Sequence, residues 1–106
     1  MESIREFIQR VQKKEIDVVE NTYKVLEEVK KIDKTYNYLT VISEELALEL
    51  AEKVKKNPKG KLAGLPISVK DSICVKDVES AAGSKILKGF ISPYNSTVVE
   101  KIIKEG

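Results

Sequence analysis

Apolar residues in the first half of the chain recur at the three- and four-residue spacing of helices. The N-terminal segment predicts a short helix over residues 3–13. The pattern Asp17-x-x-Glu20 is typical of a capping box and predicts the start of a second helix, and Ser43 is the predicted N-cap of a third. The predicted buried faces are Ile4, Phe7, Ile8 and Val11; Val18, Thr22, Val25, Val29 and Ile32; and Leu46, Ala47, Leu50, Ala51 and Val54.

Two later segments lack the helical period and are typical of strands. Residues 36–42 are rich in aromatic and β-branched side chains. In residues 65–75 the odd positions are apolar, apart from Asp71, and the even positions are small or polar, as expected of a strand with two different faces. The turn-rich stretch 55–60 connects this second strand to the helices before it.

The last part of the chain again predicts helices. Residues 80–89 suit a short helix closed by Gly89, and Thr97 with Glu100 predicts a capping box for the final helix. Gly106 stands where a C-terminal glycine cap belongs.

Helices that alternate with strands indicate the α/β class. Two strands cannot cover their own faces, so we expect residues 1–106 to be a single segment that opens a larger α/β domain and is incomplete by itself. Residues 1–59 would be its helical N-terminal region, and residues 60–106 the start of its core. The apolar face of residues 65–75 is then expected to be exposed in the chain alone.

Composition narrows the classes of function. Of 106 residues, 42% are hydrophobic and 34% charged, which suits a soluble domain with one core. The 19 basic and 17 acidic residues are interleaved, so no basic stripe indicates direct binding of nucleic acid. The absence of histidine excludes Ser-His-Asp and Cys-His catalysis and histidine metal sites within this chain. The single Cys74 favours a reducing compartment and a buried, inert thiol, and no apolar run is long enough for a membrane span, so we expect a cytoplasmic protein.

Lys70 is the main candidate for chemistry. It shares the polar face of the predicted strand with Ser68 and Ser72. A serine and a lysine can carry out acyl transfer without histidine when burial keeps the lysine neutral. Most strand lysines are solvated residues with no such role, and the Ser-x-x-Lys spacing is absent, so the pattern alone leaves both interpretations open.

The surroundings of Lys70 carry a family resemblance. The run Gly60-Lys-Leu-Ala-Gly-Leu-Pro-Ile-Ser-Val-Lys-Asp-Ser-Ile73 resembles the lysine segment of the amidase signature family. The stretches Ala82-Gly-Ser-Lys-Ile-Leu87 and Pro93-Tyr-Asn-Ser-Thr-Val-Val-Glu-Lys101 are most similar to the glutaminase subunits of glutamyl/aspartyl-tRNA amidotransferases. The similarity extends over nearly the whole chain.

The resemblance implies a fold and a reaction. The fold would be the N-terminal portion of an α/β/α architecture, with helices packed on a mixed sheet. Lys70 would be the general base of a triad with a cis-peptide serine and a nucleophilic serine, and the substrate would be an amide, glutamine in the tRNA-dependent members. Ammonia would pass to the B and C subunits, where ATP and magnesium serve the amidation of mischarged tRNA. This chain would hold no cofactor or metal, would meet tRNA only through the complex, and would contact no membrane.

The chain also departs from the family pattern. The two catalytic serines lie downstream of the matched segment, so we expect residues 1–106 to be inactive alone and to need the rest of the amidase domain. Ser68 and Ser72 do not occupy the places of those serines, and no substrate-binding residue is assigned. Position 72 is usually asparagine and position 77 usually glycine, where this chain has Ser72 and Asp77.

Two other functions remain open. One is that of a stand-alone amidase that acts on a small amide, of which this chain would be a part. The other is that of a non-catalytic module that binds a partner, in which case replacing Lys70 changes no activity.

Overall fold

The computed structural model describes residues 2–37 and 39–106, and regular structure in this part of the chain is helical. Helix α1 spans Ile4–Gln12, α2 spans Val18–Tyr36, α3 spans Glu44–Lys56, and α4 spans Thr97–Lys104. A single 3-10 turn, Lys85–Leu87, lies before α4. The four predicted long helices are therefore confirmed.

Polar side chains at the N-termini begin these helices. Ser3 and Glu6 form a reciprocal capping box at α1, and the Asp17 carboxylate accepts from the amides of Val19 and Glu20 at α2. Ser43 is the N-cap of α3, as predicted, although its hydroxyl makes no capping hydrogen bond.

The predicted cap of α4 is wrong by one residue. Ser96 has the extended backbone of an N-cap, and its hydroxyl accepts from the amide of Val99. Thr97 is already the first helical residue, so its side chain cannot fill the capping position.

The core lies between α1, α2, α3 and the loop that follows α3. Its buried members are Ile8, Val11, Val18, Ala51, Val54 and Ala63. On α2 the buried residues are Val18, Thr22 and Leu26, a spacing of four, whereas the predicted Ile32 is 43% exposed. The buried stripe of α2 thus turns away from the core before the end of the helix.

Neither predicted strand forms in the described residues. Helix α2 continues through Tyr36 and ends where Asn37 adopts the left-handed conformation, so the strand predicted over 36–42 is wrong at its start, and Tyr38 lies outside the described residues. Residues 65–70 are unpaired, and the chain turns directly after them. A strand is stable only beside a neighbour that accepts and donates its backbone hydrogen bonds. The described residues supply no such neighbour, so a mixed sheet is not formed in them.

The segment before α4 is a loop pair rather than the predicted helix over 80–89. Residues 74–80 run antiparallel to residues 90–96, with one β-bridge between Glu79 and Ile91. The Asp77 amide donates to the Ser92 carbonyl at 2.8 Å, and the Ser96 amide donates to the Cys74 carbonyl at 2.9 Å. The left-handed conformations at 82 and 83 interrupt any helix between these two segments.

The predicted exposure of the apolar face of residues 65–75 is confirmed only in part, because Leu65, Ile73 and Val75 are half-buried. Ile67 and Val69, on the segment that carries Lys70, are 44% and 39% exposed, and Ile86 is 95% exposed. The other large apolar residues exposed in the second half of the chain are Leu87, Phe90, Ile91, Tyr94 and Val98.

Candidate active site

Lys70 lies at the end of the extended segment and is exposed. Its carbonyl oxygen accepts from the Ile73 amide at 2.9 Å, which closes a turn directly after it. Ser68 and Ser72 are exposed too. In the ranges 2–37 and 39–106 no carboxylate forms an ion pair with Lys70. Its amine is therefore available to a group that approaches from outside the described residues.

Asp71 joins the lysine segment to the loop at 80–83. Its carboxylate accepts from the Ala81 amide at 3.1 Å and from the Gly83 amide at 3.3 Å. Its carbonyl oxygen accepts from the hydroxyl of the buried Ser80 at 2.6 Å. Asp71 does not pair with the neighbouring Lys70, because its oxygens are directed at this loop.

Asp77 occupies a turn that requires the left-handed conformation, with a φ of +65°. The resemblance has glycine at this position, and glycine enters that region without steric cost. Aspartate is one of the few other residues that tolerate it. The Asn95 carboxamide oxygen accepts from the neighbouring Lys76 amide at 2.7 Å, which holds the backbone directly before Asp77.

Cys74 is only half-buried, which corrects the prediction of a buried thiol. Its neighbour is the hydroxyl of Tyr94 on the facing loop. A hydrogen bond with Cys74, and then the charge interaction between the two groups, raise the pKa of Tyr94 above its ordinary value.

Two shallow cavities lie away from Lys70. One, of about 260 Å³, is lined by Lys53, Lys59, Lys104 and neighbouring residues, and one of about 230 Å³ lies between α1 and the start of α2. No cluster of three potential metal-ligating side chains occurs among the described residues. None of the helices described is both long and apolar enough to span a membrane.

Sequence reasoning found Lys70 but missed the contacts that hold its backbone. The link from Asp71 to Ala81 and Gly83 crosses ten and twelve residues, so no local period reveals it. The available signal was the single acid on the apolar face of residues 65–75, since an acid in such a place needs donors nearby.

Known proteins are similar to this chain over most of its length, including the segment that carries Lys70. The amidase family model matches residues 20–106. Over 108 residues the chain is 35% identical to the A subunit of the glutamyl-tRNA(Gln) amidotransferase of Thermoanaerobacter pseudethanolicus. It is 40% identical over 112 residues to the corresponding protein of Cyanothece sp., and 40% identical over 108 residues to that of Coxiella burnetii.

These alignments cover 98–100% of this chain and 22–23% of each relative. The chain thus spans about a fifth of the length of the curated relatives that it matches. The family match extends over most of the chain and includes Lys70. The chain belongs to the amidase family.

Proposed function

We propose that this chain is the N-terminal segment of the glutamine-hydrolysing A subunit of a tRNA-dependent amidotransferase, with Lys70 as its general base. The observation that carries the proposal is the exposed Lys70 within a matched amidase segment whose backbone is anchored on its far side by Asp71. The names of the relatives support the subunit assignment.

In the proposed reaction Lys70 moves one proton in each direction. A serine supplied from outside these 106 residues attacks the amide carbon of glutamine, and Lys70 takes the serine proton through a second, bridging serine. The same proton is returned to the departing nitrogen, which leaves as ammonia. Water then hydrolyses the acyl-enzyme and releases glutamate.

The base must be neutral to accept that proton, and removal from water favours the neutral form of an amine. Ile67 and Val69, two partly exposed apolar side chains, precede Lys70 in the same segment. Covering them with the remainder of an amidase domain would remove water from the lysine as well. We therefore assign the low-dielectric surroundings of Lys70 to the assembled domain and not to the described residues alone.

The assembled enzyme would contain B and C subunits. Ammonia would pass to the partner that binds ATP and magnesium, and tRNA would be bound only through the complex. This segment would need no cofactor of its own, and the enzyme would work in the cytoplasm.

The test is ammonia release from glutamine by the whole protein that carries this sequence, assembled with its partner subunits. Lys70→Ala should lower kcat by about 10³-fold, the scale of a lost general base. The circular dichroism spectrum of the variant should match that of wild type, so that the loss of kcat reports on the lysine and not on folding. Lys76→Ala is the matched control, another exposed lysine that lies six residues further along the chain, and should retain full activity.

The alternatives give different results. A stand-alone amidase would hydrolyse small aliphatic amides without partner subunits and would show no preference for glutamine. A non-catalytic module would leave the activity of Lys70→Ala equal to that of wild type. Either result would overturn the proposal.

A further inference from the structure

One residue, Asp71, makes all the side-chain hydrogen bonds that link the lysine segment to the loop at 80–83. Both carboxylate oxygens are used, one by the Ala81 amide and the other by the Gly83 amide. The Ser80 hydroxyl, 7% exposed as a residue, adds a bond to the Asp71 carbonyl. The loop is thus held from three points by one residue that directly follows Lys70.

The loop that Asp71 holds has a backbone that is not held by packing. Ala82 has a φ of +48° and Gly83 a φ of +71°, so two consecutive residues are left-handed. Alanine adopts this conformation only at a steric cost. Both residues are exposed, and a Cβ placed on Gly83 would meet no atom within 4 Å. A backbone hydrogen bond from the Ser84 amide to the Ala81 carbonyl closes this turn at 2.8 Å, and the two bonds to the Asp71 carboxylate, of a kind stronger than neutral ones, stabilise it further.

The same contacts fix the backbone at Lys70. Its side chain has no ion pair among the described residues, so the side chain itself cannot orient the segment. Its carbonyl is held by the Ile73 amide, and the next residue is held by the loop. A general base displaced by about 1 Å loses about 10²-fold in rate, so such an anchor has a direct kinetic consequence.

We propose that Asp71 is a positioning residue. Its hydrogen bonds to the loop at 80–83 fix the backbone next to Lys70 and thereby set the position of the Lys70 amine. This inference rests on the proposed function, because it assigns Asp71 a role in the reaction of Lys70. Asp71 does not touch the reacting atoms and does not exchange a proton with them.

Asp71→Asn tests the hydrogen bonds between Asp71 and the loop with little change in the shape of the side chain. The amide oxygen still accepts from Ala81, but the amide nitrogen cannot accept from Gly83. In the whole protein, kcat for glutamine should fall by about 10- to 100-fold while KM changes less than about twofold. Ser80→Ala removes the third bond and leaves the carboxylate in place, so it should lower kcat in the same direction by less. If Asp71→Asn does not fold, Ser80→Ala decides.

Asp17→Asn is the matched control. Asp17 accepts from two backbone amides through one carboxylate oxygen and from the Lys55 ammonium through the other, at the start of α2 and outside the lysine segment, so asparagine keeps the amide bonds there and loses the ion pair. It should lower stability and leave kcat unchanged. An equal loss of kcat in Asp17→Asn and Asp71→Asn would show a general effect of stability and would overturn the positioning role.

Amide hydrogen exchange supplies a readout that is independent of activity. The amides of Ala81 and Gly83 are protected in wild type by the carboxylate, and Gly83 should exchange at least about tenfold faster in Asp71→Asn. An unchanged exchange rate at Gly83 would show that the Asp71 carboxylate does not hold this loop and would overturn the positioning role, whatever the kinetics show. If Lys70→Ala lowers kcat and Asp71→Asn does not, the positioning role alone is wrong. If Lys70→Ala has no effect, the proposed function is wrong, and the positioning role is wrong with it.

Discussion

Gly60 joins the loop after α3 to the end of α4, and its replacement by alanine tests that contact. Its φ is +111°, a conformation that side chains rarely adopt. A Cβ at this position would overlap the Glu105 carbonyl oxygen and lie 2.5 Å from the carbonyl carbon. That same oxygen accepts from the Leu62 amide at 2.9 Å, and the Glu105 carboxylate accepts from the Lys61 amide at 3.1 Å.

Three effects add up in Gly60→Ala. Left-handed strain for alanine costs about 1–2 kcal/mol. Moving the Glu105 backbone away from the new methyl group breaks two hydrogen bonds, each worth about 1 kcal/mol. Lower entropy of the unfolded chain returns about 0.5 kcal/mol. We therefore expect a loss of about 3 kcal/mol in the free energy of unfolding.

Gly89→Ala is the matched control for the strain. Gly89 has a φ of +88°, and a Cβ there would meet no atom within 4 Å, so only the conformational part remains. Its loss should be about 1 kcal/mol. Urea unfolding followed by far-ultraviolet circular dichroism measures the free energy of unfolding of each variant. The two values can be compared directly if the slope m, the dependence of that free energy on urea concentration, is the same in both. Equal losses in the two variants would refute the contact between Gly60 and Glu105.

Two further predictions concern the helix N-termini. The hydrogen bond from the Glu20 amide, and then the Lys55 ammonium, lower the pKa of Asp17 below its ordinary value of 3.8. The charged carboxylate therefore stabilises the fold at pH values above 3.8. This contribution to stability is lost as the pH falls through the lower pKa of the folded state. By urea unfolding, Asp17→Asn should be less stable than wild type above the ordinary pKa of the carboxyl group, and this difference should shrink as the pH falls below it; a difference that does not change with pH would contradict the prediction. Ser96→Ala should lose about 1 kcal/mol and Thr97→Ala less than about 0.5 kcal/mol, since only the serine caps α4, and the reverse order would restore the cap predicted from the sequence.

One part of the candidate site follows from residues adjacent in the sequence, and another part depends on contacts between distant segments. A motif around one lysine, read along the chain, predicted the family, which is confirmed, and proposed Lys70 as the candidate base. The role that we infer for Asp71 depends on amides ten and twelve residues away, which only folding brings to its carboxylate. The exposure of Lys70 likewise does not follow from the motif, because it depends on which other segments pack against the lysine.

The sequence by itself determined the four helices α1 to α4, although not the absence of a helix over 80–89, because period and caps act within a few residues: Asp17 begins α2 and Ser43 begins α3, as the pattern predicts. Only the tertiary structure decided the strands. Residues 65–70 have the alternation of a strand, yet strand hydrogen bonds go to another segment, and none of the described residues lies beside them in that way. The turn at Asp77 was likewise settled by the facing loop, where the Ser92 carbonyl holds its amide. Local interactions can be read from spacing, whereas pairing depends on which segments meet in space.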